Sequence, residues 1–339
     1  MAEYIAVSVV IPMYNMGNYI ISCLESILSQ SIKNIEIIVI DDKSTDASVE
    51  KVEYFAYNDA RVKLIPLKKN SGPGIARNIG IKYASGKYCM FMDADDMYVD
   101  KNSIEYIYNI AEENKVNIAC CDKIDLDSKS NTYIPKSSIR SGEYLCRSTD
   151  ISSIFWYTTY IYNREFIIKK RIYFPKIRIF EDPVFLAKIL KEADKIFCSD
   201  RPIYVYRVMH KETELTLDKV KTILSAQEEI RNILSDDYNI WNQQYISLLN
   251  VILDGKLYKK SPDTITCLHQ VKKIIRSFPG RSRLKRSTGY LLFLVILLTL
   301  CRRVNALLPM TYKKNIKEYY KKTTYIKVKV FCVKSSRIT

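Results

Sequence analysis

Residues 91–96 read Phe-Met-Asp-Ala-Asp-Asp, so Asp93, Asp95 and Asp96 bring three carboxylates to the end of an apolar run over residues 87–92. That run reads as a buried strand, and in α/β sheets ligands collect beyond the carboxyl ends of the strands. Three like charges at one strand end repel one another. A hard divalent cation such as Mg²⁺ or Mn²⁺ relieves that repulsion, because it takes oxygen ligands and leaves coordination sites for substrate phosphates. The same acids also fit the cap and first turn of a helix expected over residues 102–115, a purely structural role.

The first half of the chain alternates short apolar runs with amphipathic stretches, the pattern of a parallel sheet covered on both faces. Residues 7–11 form a β-branched run. Ile20, Leu24, Ile27 and Leu28 then recur at helical spacing, and a second apolar run at 35–40 ends in Asp41 and Asp42. A helix beginning near residues 44–46, a strand over 62–66 and a helix over 73–84 follow, before the strand that ends in the acids. Successive βα units put the ends of parallel strands on one edge. Residues 12–15, Asp41 with Asp42, and residues 93–96 therefore converge in one candidate site.

The dinucleotide fingerprint is absent, because the turn after the first strand, residues 12–17, holds a single glycine. Gly72-Pro73-Gly74 is a partial echo with Arg77 in place of the third glycine, and there is no Walker loop. What remains is an aromatic residue, Tyr14, an acid pair, and a metal-type cluster. That set suits a nucleoside diphosphate: Tyr14 stacks on a base, an Asp accepts a base N–H, and a cation holds the diphosphate.

Residues 7–15 (VSVVIPMYN) with 39–46 (VIDDKSTD), 70–80 (NSGPGIARNIG) and the acids of 93–96 together resemble family-two glycosyltransferases. The four motifs occur in order, and the resemblance spans about residues 5–210. It implies a GT-A fold, a doubly wound, mainly parallel sheet with helices on both faces. It also implies a nucleotide-sugar donor, a divalent metal, and inversion at the anomeric carbon. By that resemblance Tyr14 stacks on the base and Asp42 binds it. Pro12, Asn15, Arg77 and Asp93 belong to the donor site, Asp95 is the metal ligand, and Asp93 and Asp96 support metal or sugar. Lys43 stands where the family more often has glycine or asparagine, which bears on the shape of that turn.

Glu181-Asp182-Pro183 precedes a helix running to about residue 191. Taken alone, Asp182 fits an N-cap with Pro183 at the first helical position. The resemblance instead implies that this acid pair supplies the general base, since inverting transfer needs one carboxylate to take the acceptor proton. The helix N-terminus favours an ionised Asp182, so the base is assigned to Asp182 with Glu181 as the alternative. The segment 201–211 reads as a strand entering a basic loop, in which Arg207 is expected to contact the diphosphate. His210 is either a metal contact or a solvated loop residue. Nine cysteines without C-x-x-C spacing point to reduced thiols rather than a zinc site or a disulfide framework.

Charge is strongly uneven. Residues 256–339 hold 21 Lys plus Arg against two acids, a balance of +19, and since the whole chain carries +16 the preceding residues carry −3. The basic region also contains an apolar run, residues 290–301, fenced by Arg281, Arg283, Lys285, Arg286, Arg302 and Arg303. Twelve residues fall short of the roughly 20 that span a bilayer, so the segment at about 281–303 reads as an interfacial anchor on anionic headgroups. A buried core helix is the alternative. Nucleic-acid binding is disfavoured, because no such module appears and a long apolar run suits lipid better than RNA. A non-catalytic sugar-binding scaffold would have no need of both acid clusters. The organisation expected is a catalytic domain over 1–215 and a helical, basic C-terminal region over 216–339. Without a basic, apolar leader at residues 1–7, the enzyme is expected in the cytoplasm, attached peripherally to the inner face of the membrane. By analogy the donor is a UDP-sugar and the acceptor a lipid-linked oligosaccharide of a bacterial surface polysaccharide.

Overall fold

The computed structural model describes residues 4–136, 139–151, 156–209 and 217–234. Four parallel strands build the first half: β1 (Val7–Met13), β2 (Ile35–Asp41), β3 (Val62–Pro66) and β4 (Tyr88–Phe91). Between them run the helices α1 (Ile20–Leu28), α2 (Ser48–Asn58) and α3 (Pro73–Tyr83). Helix α1 forms because Ile20, Cys23, Leu24 and Ile27 fall on one buried face. Every residue of β2 is buried, as a near-continuous Ile and Val run in a doubly covered parallel sheet should be. Where α3 crosses β1, Gly80 allows near contact: a Cβ there would stand 2.2 Å from Val10 Cγ1.

The second half is mixed. It contains β5 (Met97–Tyr98), α4 (Ser103–Glu113), β6 (Ile118–Asp127), β7 (Thr132–Lys136), β8 (Glu143–Arg147) and β9 (Tyr160–Asn163). After these come α5 (Arg164–Lys169), α6 (Glu181–Glu192), β10 (Lys195–Val208) and α7 (Leu217–Ile233). The sheet order is β3-β2-β1-β4-β9-β6-β10-β5, with β7 added on β6 and β8 on β10. Strand β9 runs antiparallel to both β4 and β6, whereas β10 is parallel to β6. Two apolar cores result. One, with Val10, Phe91, Tyr162 and Phe185, lies on the face carrying α3 and α6; the other, with Val9, Leu24 and Ile107, lies on the face carrying α1 and α4.

One segment departs in part from the sequence-based expectation. The polar stretch 122–142, whose composition reads as a hairpin or loop, does form a hairpin of β6 and β7, but its first strand belongs to the core: Asp122, Lys123 and Asp125 are buried within β6. Pairing makes this tolerable, since Lys123 is ion-paired with Asp125 and its Nζ lies 3.7 Å from the Trp156 ring centroid. Helix α7 begins at Leu217, its Ala226 and Ile230 join the core around α6, and Lys188 pairs with Glu229. The basic, apolar segment 281–303 and His210 lie outside the described residues. Among the described residues no helix is long and apolar enough to cross a membrane.

Candidate active site

Because β1 is flanked by β2 on one side and β4 on the other, the sheet reverses its winding there, and a crevice opens beyond the strand ends. Register brings the predicted residues together. Met13 pairs with Asp41, and Val10 with Phe91, so Pro12, Tyr14, Asn15, Asp42 and Asp93 all reach one edge.

The turns are tied to each other by side chains. Asn15 N donates to Ser44 Oγ at 2.9 Å, and Thr45 N donates to Asn15 Oδ1 at 2.8 Å. Lys43 adopts the left-handed region with φ 67°, the conformation glycine or asparagine takes most readily, so the turn keeps its shape without either. Asp42 is buried and accepts from Ser71 N at 2.6 Å and Gly72 N at 2.7 Å, which fixes the loop leading into α3. Tyr14 is 45% exposed, leaving its ring open to a stacking partner.

The acids of residues 93–96 have distinct surroundings. Asp93 Oδ1 accepts from Arg77 Nη2 at 2.9 Å and from the Tyr157 hydroxyl at 2.7 Å. Asp96 is buried, taking the Tyr204 hydroxyl at 2.7 Å and Arg207 N at 2.7 Å. Burial, with Asp93 and Asp95 nearby, pushes its carboxyl well above the usual range. Asp95 lies between them, half-buried, and its backbone carbonyl accepts from Arg207 Nε at 2.8 Å. Arg207 thus brackets the acid loop from β10, its guanidinium 5.3 Å from the Tyr19 ring centroid.

Among the described residues no three Asp, Glu, His or Cys side chains gather closely enough to form a complete metal cage. The donor set nevertheless fits a hard divalent cation, which commonly takes one or two carboxylates and completes its shell with water and substrate phosphates. Burial raises Asp96 first and repulsion from Asp93 and Asp95 adds to it; that repulsion is what such a cation would relieve.

Opposite the acid loop, Arg77 and Glu181 form a buried ion pair, Nη1 to Oε1 at 2.7 Å. Burial alone would lower the Arg77 pKa, but Tyr157, Asp93, Glu181 and Asp182 hold it above its ordinary value. Asn78 on α3 accepts from Phe174 N and donates to Phe174 O, both at 2.9 Å, and Arg178 donates to Asn70 Oδ1 at 2.9 Å, so the segment entering α6 is pinned to the α3 loop. The helix begins at Glu181, with Phe180 as its cap in the left-handed region at φ 65°. Asp182 is therefore not the N-cap allowed by the sequence but the second helical residue. Its carboxyl is raised from the ordinary 3.8 to about 7, first by burial, then by Glu181 and Asp93, against the lowering effect of Arg77.

Sequence reasoning missed Tyr157 and Tyr204. Burial and adjacent carboxylates hold both phenols well above their usual pKa, so both stay hydrogen-bond donors. Tyr204 lies in β10 between Ile203 and Val205, both also buried, and Tyr157 lies in a 3₁₀ turn, residues 157–159, where no periodicity marks it.

Comparison with known proteins places this arrangement. Residues 8–185 match the profile of glycosyl transferase family 2. The chain belongs to this family. Similar proteins include the uncharacterized glycosyltransferase EpsJ of Bacillus subtilis, 33% identical over 59% of this chain and 60% of EpsJ. Another is the glycosyltransferase GlyG of Streptococcus pneumoniae, 31% identical over 76% of this chain and 91% of GlyG. The match thus spans less than two thirds of EpsJ but most of GlyG. Among solved structures, S. aureus TarS 1–349 in complex with UDP-GlcNAc superposes with a TM-score of 0.66 at 22% identity, covering 82% of each chain. That likeness establishes the GT-A fold.

Proposed function

We propose that this family-2 chain is an inverting glycosyltransferase that moves a sugar from a UDP-sugar to a hydroxyl of a lipid-linked glycan acceptor in the synthesis of a bacterial surface polysaccharide. The observation that carries the reading is the division of labour in the acid pair at the start of α6. Glu181 is held by Arg77, whereas the Asp182 carboxyl takes no side-chain hydrogen bond or ion pair among the described residues and its pKa is raised to about 7. A base poised near neutrality is suited to taking a hydroxyl proton. In the proposed step the acceptor oxygen attacks the anomeric carbon as its proton passes to Asp182. The bond from that carbon to the diphosphate breaks, and the nucleoside diphosphate leaves with the electron pair. One inversion follows from one displacement.

Asp95, supported by Asp93 and Asp96, would hold a Mg²⁺ or Mn²⁺ ion, which when bound offsets charge on the departing diphosphate. Tyr14 and Asp42 serve the base, Pro12 and Asn15 shape the turn beneath it, and Arg207 lies where it can meet the diphosphate. Arg77 serves the donor site indirectly, through Asp93. The likeness to a protein bound to UDP-GlcNAc supports uridine as the base. The charge excess and apolar run of residues 256–339 support peripheral attachment to an anionic membrane.

A panel of UDP- and GDP-sugars tested for heat protection with and without Mn²⁺ or Mg²⁺ checks the donor assignment, since a bound donor stabilises with the logarithm of its concentration. Metal-dependent stabilisation and slow hydrolysis by one UDP-sugar are expected. No stabilisation by any member of the panel would overturn the donor reading.

A further inference from the structure

Tyr157 belongs to no chemical motif in the sequence, yet it touches both halves of the acid site. Its side chain is buried, its hydroxyl donates to Asp93 Oδ1 at 2.7 Å, and its ring centroid lies 4.6 Å from Arg77 Cζ. Arg77 donates to that same oxygen and, through Nη1, to Glu181. One tyrosine therefore contacts both the acid loop after β4 and the arginine that engages the first residue of α6. The ring is itself fixed: it packs on Phe91 and Phe174, with centroids 6.0 and 5.8 Å away, and the Tyr162 hydroxyl donates to its backbone carbonyl at 2.8 Å.

We propose that Tyr157 is a positioning residue for glycosyl transfer: with Arg77 it occupies Asp93 Oδ1, fixes the rotation of that carboxylate, and leaves Oδ2 available to the donor. The inference rests on the function proposed above. Two donors on one carboxylate oxygen set the plane of the group, and a reacting constellation held by such supporting bonds loses rate when they are removed. The arrangement predicts an effect that passes through Asp93 rather than through general packing.

Tyr157→Phe keeps the ring against Arg77, Phe91 and Phe174 and removes only the hydroxyl. With the UDP-sugar selected by the panel, kcat should fall about tenfold, the scale of one hydrogen bond to a charged group. The acceptor KM and the calorimetric affinity for UDP with Mn²⁺ should change by no more than about twofold, because binding through the rest of the site is retained. In an Asp93→Asn background the same substitution should cost nothing further, since residues acting through one another are not additive. Unchanged kcat in Tyr157→Phe would overturn the inference, as would multiplying losses in the double variant. Full activity in both Asp95→Asn and Asp182→Asn would instead strike at the proposed function, so the two failures are distinguishable.

Discussion

Within residues 93–96 each carboxylate meets different partners, and this sorts the acids by what a substitution should do. Asp96 accepts from Tyr204 and Arg207, Asp93 Oδ1 accepts from Arg77 and Tyr157, and Asp95, half-buried between them, is the residue proposed to hold the metal. Asp95→Asn should therefore abolish transfer with the circular dichroism spectrum unchanged, and chelator should do the same to the wild type. Transfer that survives chelator would remove the metal from the scheme. Asp182→Asn should lower turnover about 10²-fold or more while calorimetry shows UDP and Mn²⁺ still bound. The pH dependence follows from the same group. As a base Asp182 must be ionised, so wild-type kcat/KM should rise with pH through about 7 and level off above it. Stability runs the other way. A carboxyl raised from 3.8 to about 7 by folding favours the protonated folded state, so its ionisation penalises folding increasingly from pH 4 to 7 and fully above that. Asp182→Asn should accordingly raise the melting temperature at pH 8 more than at pH 4, a difference that scanning calorimetry resolves.

At the scale of elements, α3 holds the site together. Its Asn78 pins the segment ahead of α6, and its Arg77 joins Asp93, beyond β4, to Glu181 at the start of α6. Removing one member of a buried ion pair leaves the other charge uncompensated, which costs about 3–5 kcal/mol. Arg77→Met should therefore lower the denaturation midpoint by a corresponding amount, and Arg77→Met with Glu181→Gln should recover part of it. An unfolding curve for Arg77→Met matching the wild type would show that the pair contributes little. The left-handed Phe180 belongs to the same assembly: a non-glycine residue in that region carries strain, here immediately before the acid pair.

The whole molecule divides by charge. The acids of the site all precede residue 210, whereas the excess of +19 and the apolar run lie beyond residue 255. Helix α7 packs into the catalytic core, so a chain ending near residue 260 keeps every described contact of the site. Such a chain should stay soluble and bind nucleotide-sugar, but lose attachment to anionic vesicles. Each basic residue near an anionic surface contributes on the order of 1 kcal/mol and is screened by salt, while apolar insertion is not, so full-length protein should detach only partly at high salt. Co-sedimentation measures this directly. Equal sedimentation of the two chains would remove the membrane role.

The alternation of strands and helices, the edge on which Tyr14, Asp42 and Asp95 emerge, and the acid pair at the start of α6 were legible in the sequence. Those features follow from local periods of 2 and 3.6 and from short motifs, which neighbours along the chain suffice to express. Tertiary structure decided the rest. Tyr157 meets Asp93 across 64 residues, Arg77 meets Glu181 across 104, and Tyr204 meets Asp96 across 108. The contacts of Asp93 and Asp96 depend on β9 and β10 taking their places in the sheet order, which no local pattern encodes. The buried acids of β6 escaped for a similar reason: polarity along the chain marks a loop, and the tertiary pairing of Lys123 with Asp125 and Trp156 is what admits that segment to the core. Which of Glu181 and Asp182 is spent on Arg77 was likewise open in the sequence, because helical neighbours share a motif but not a partner.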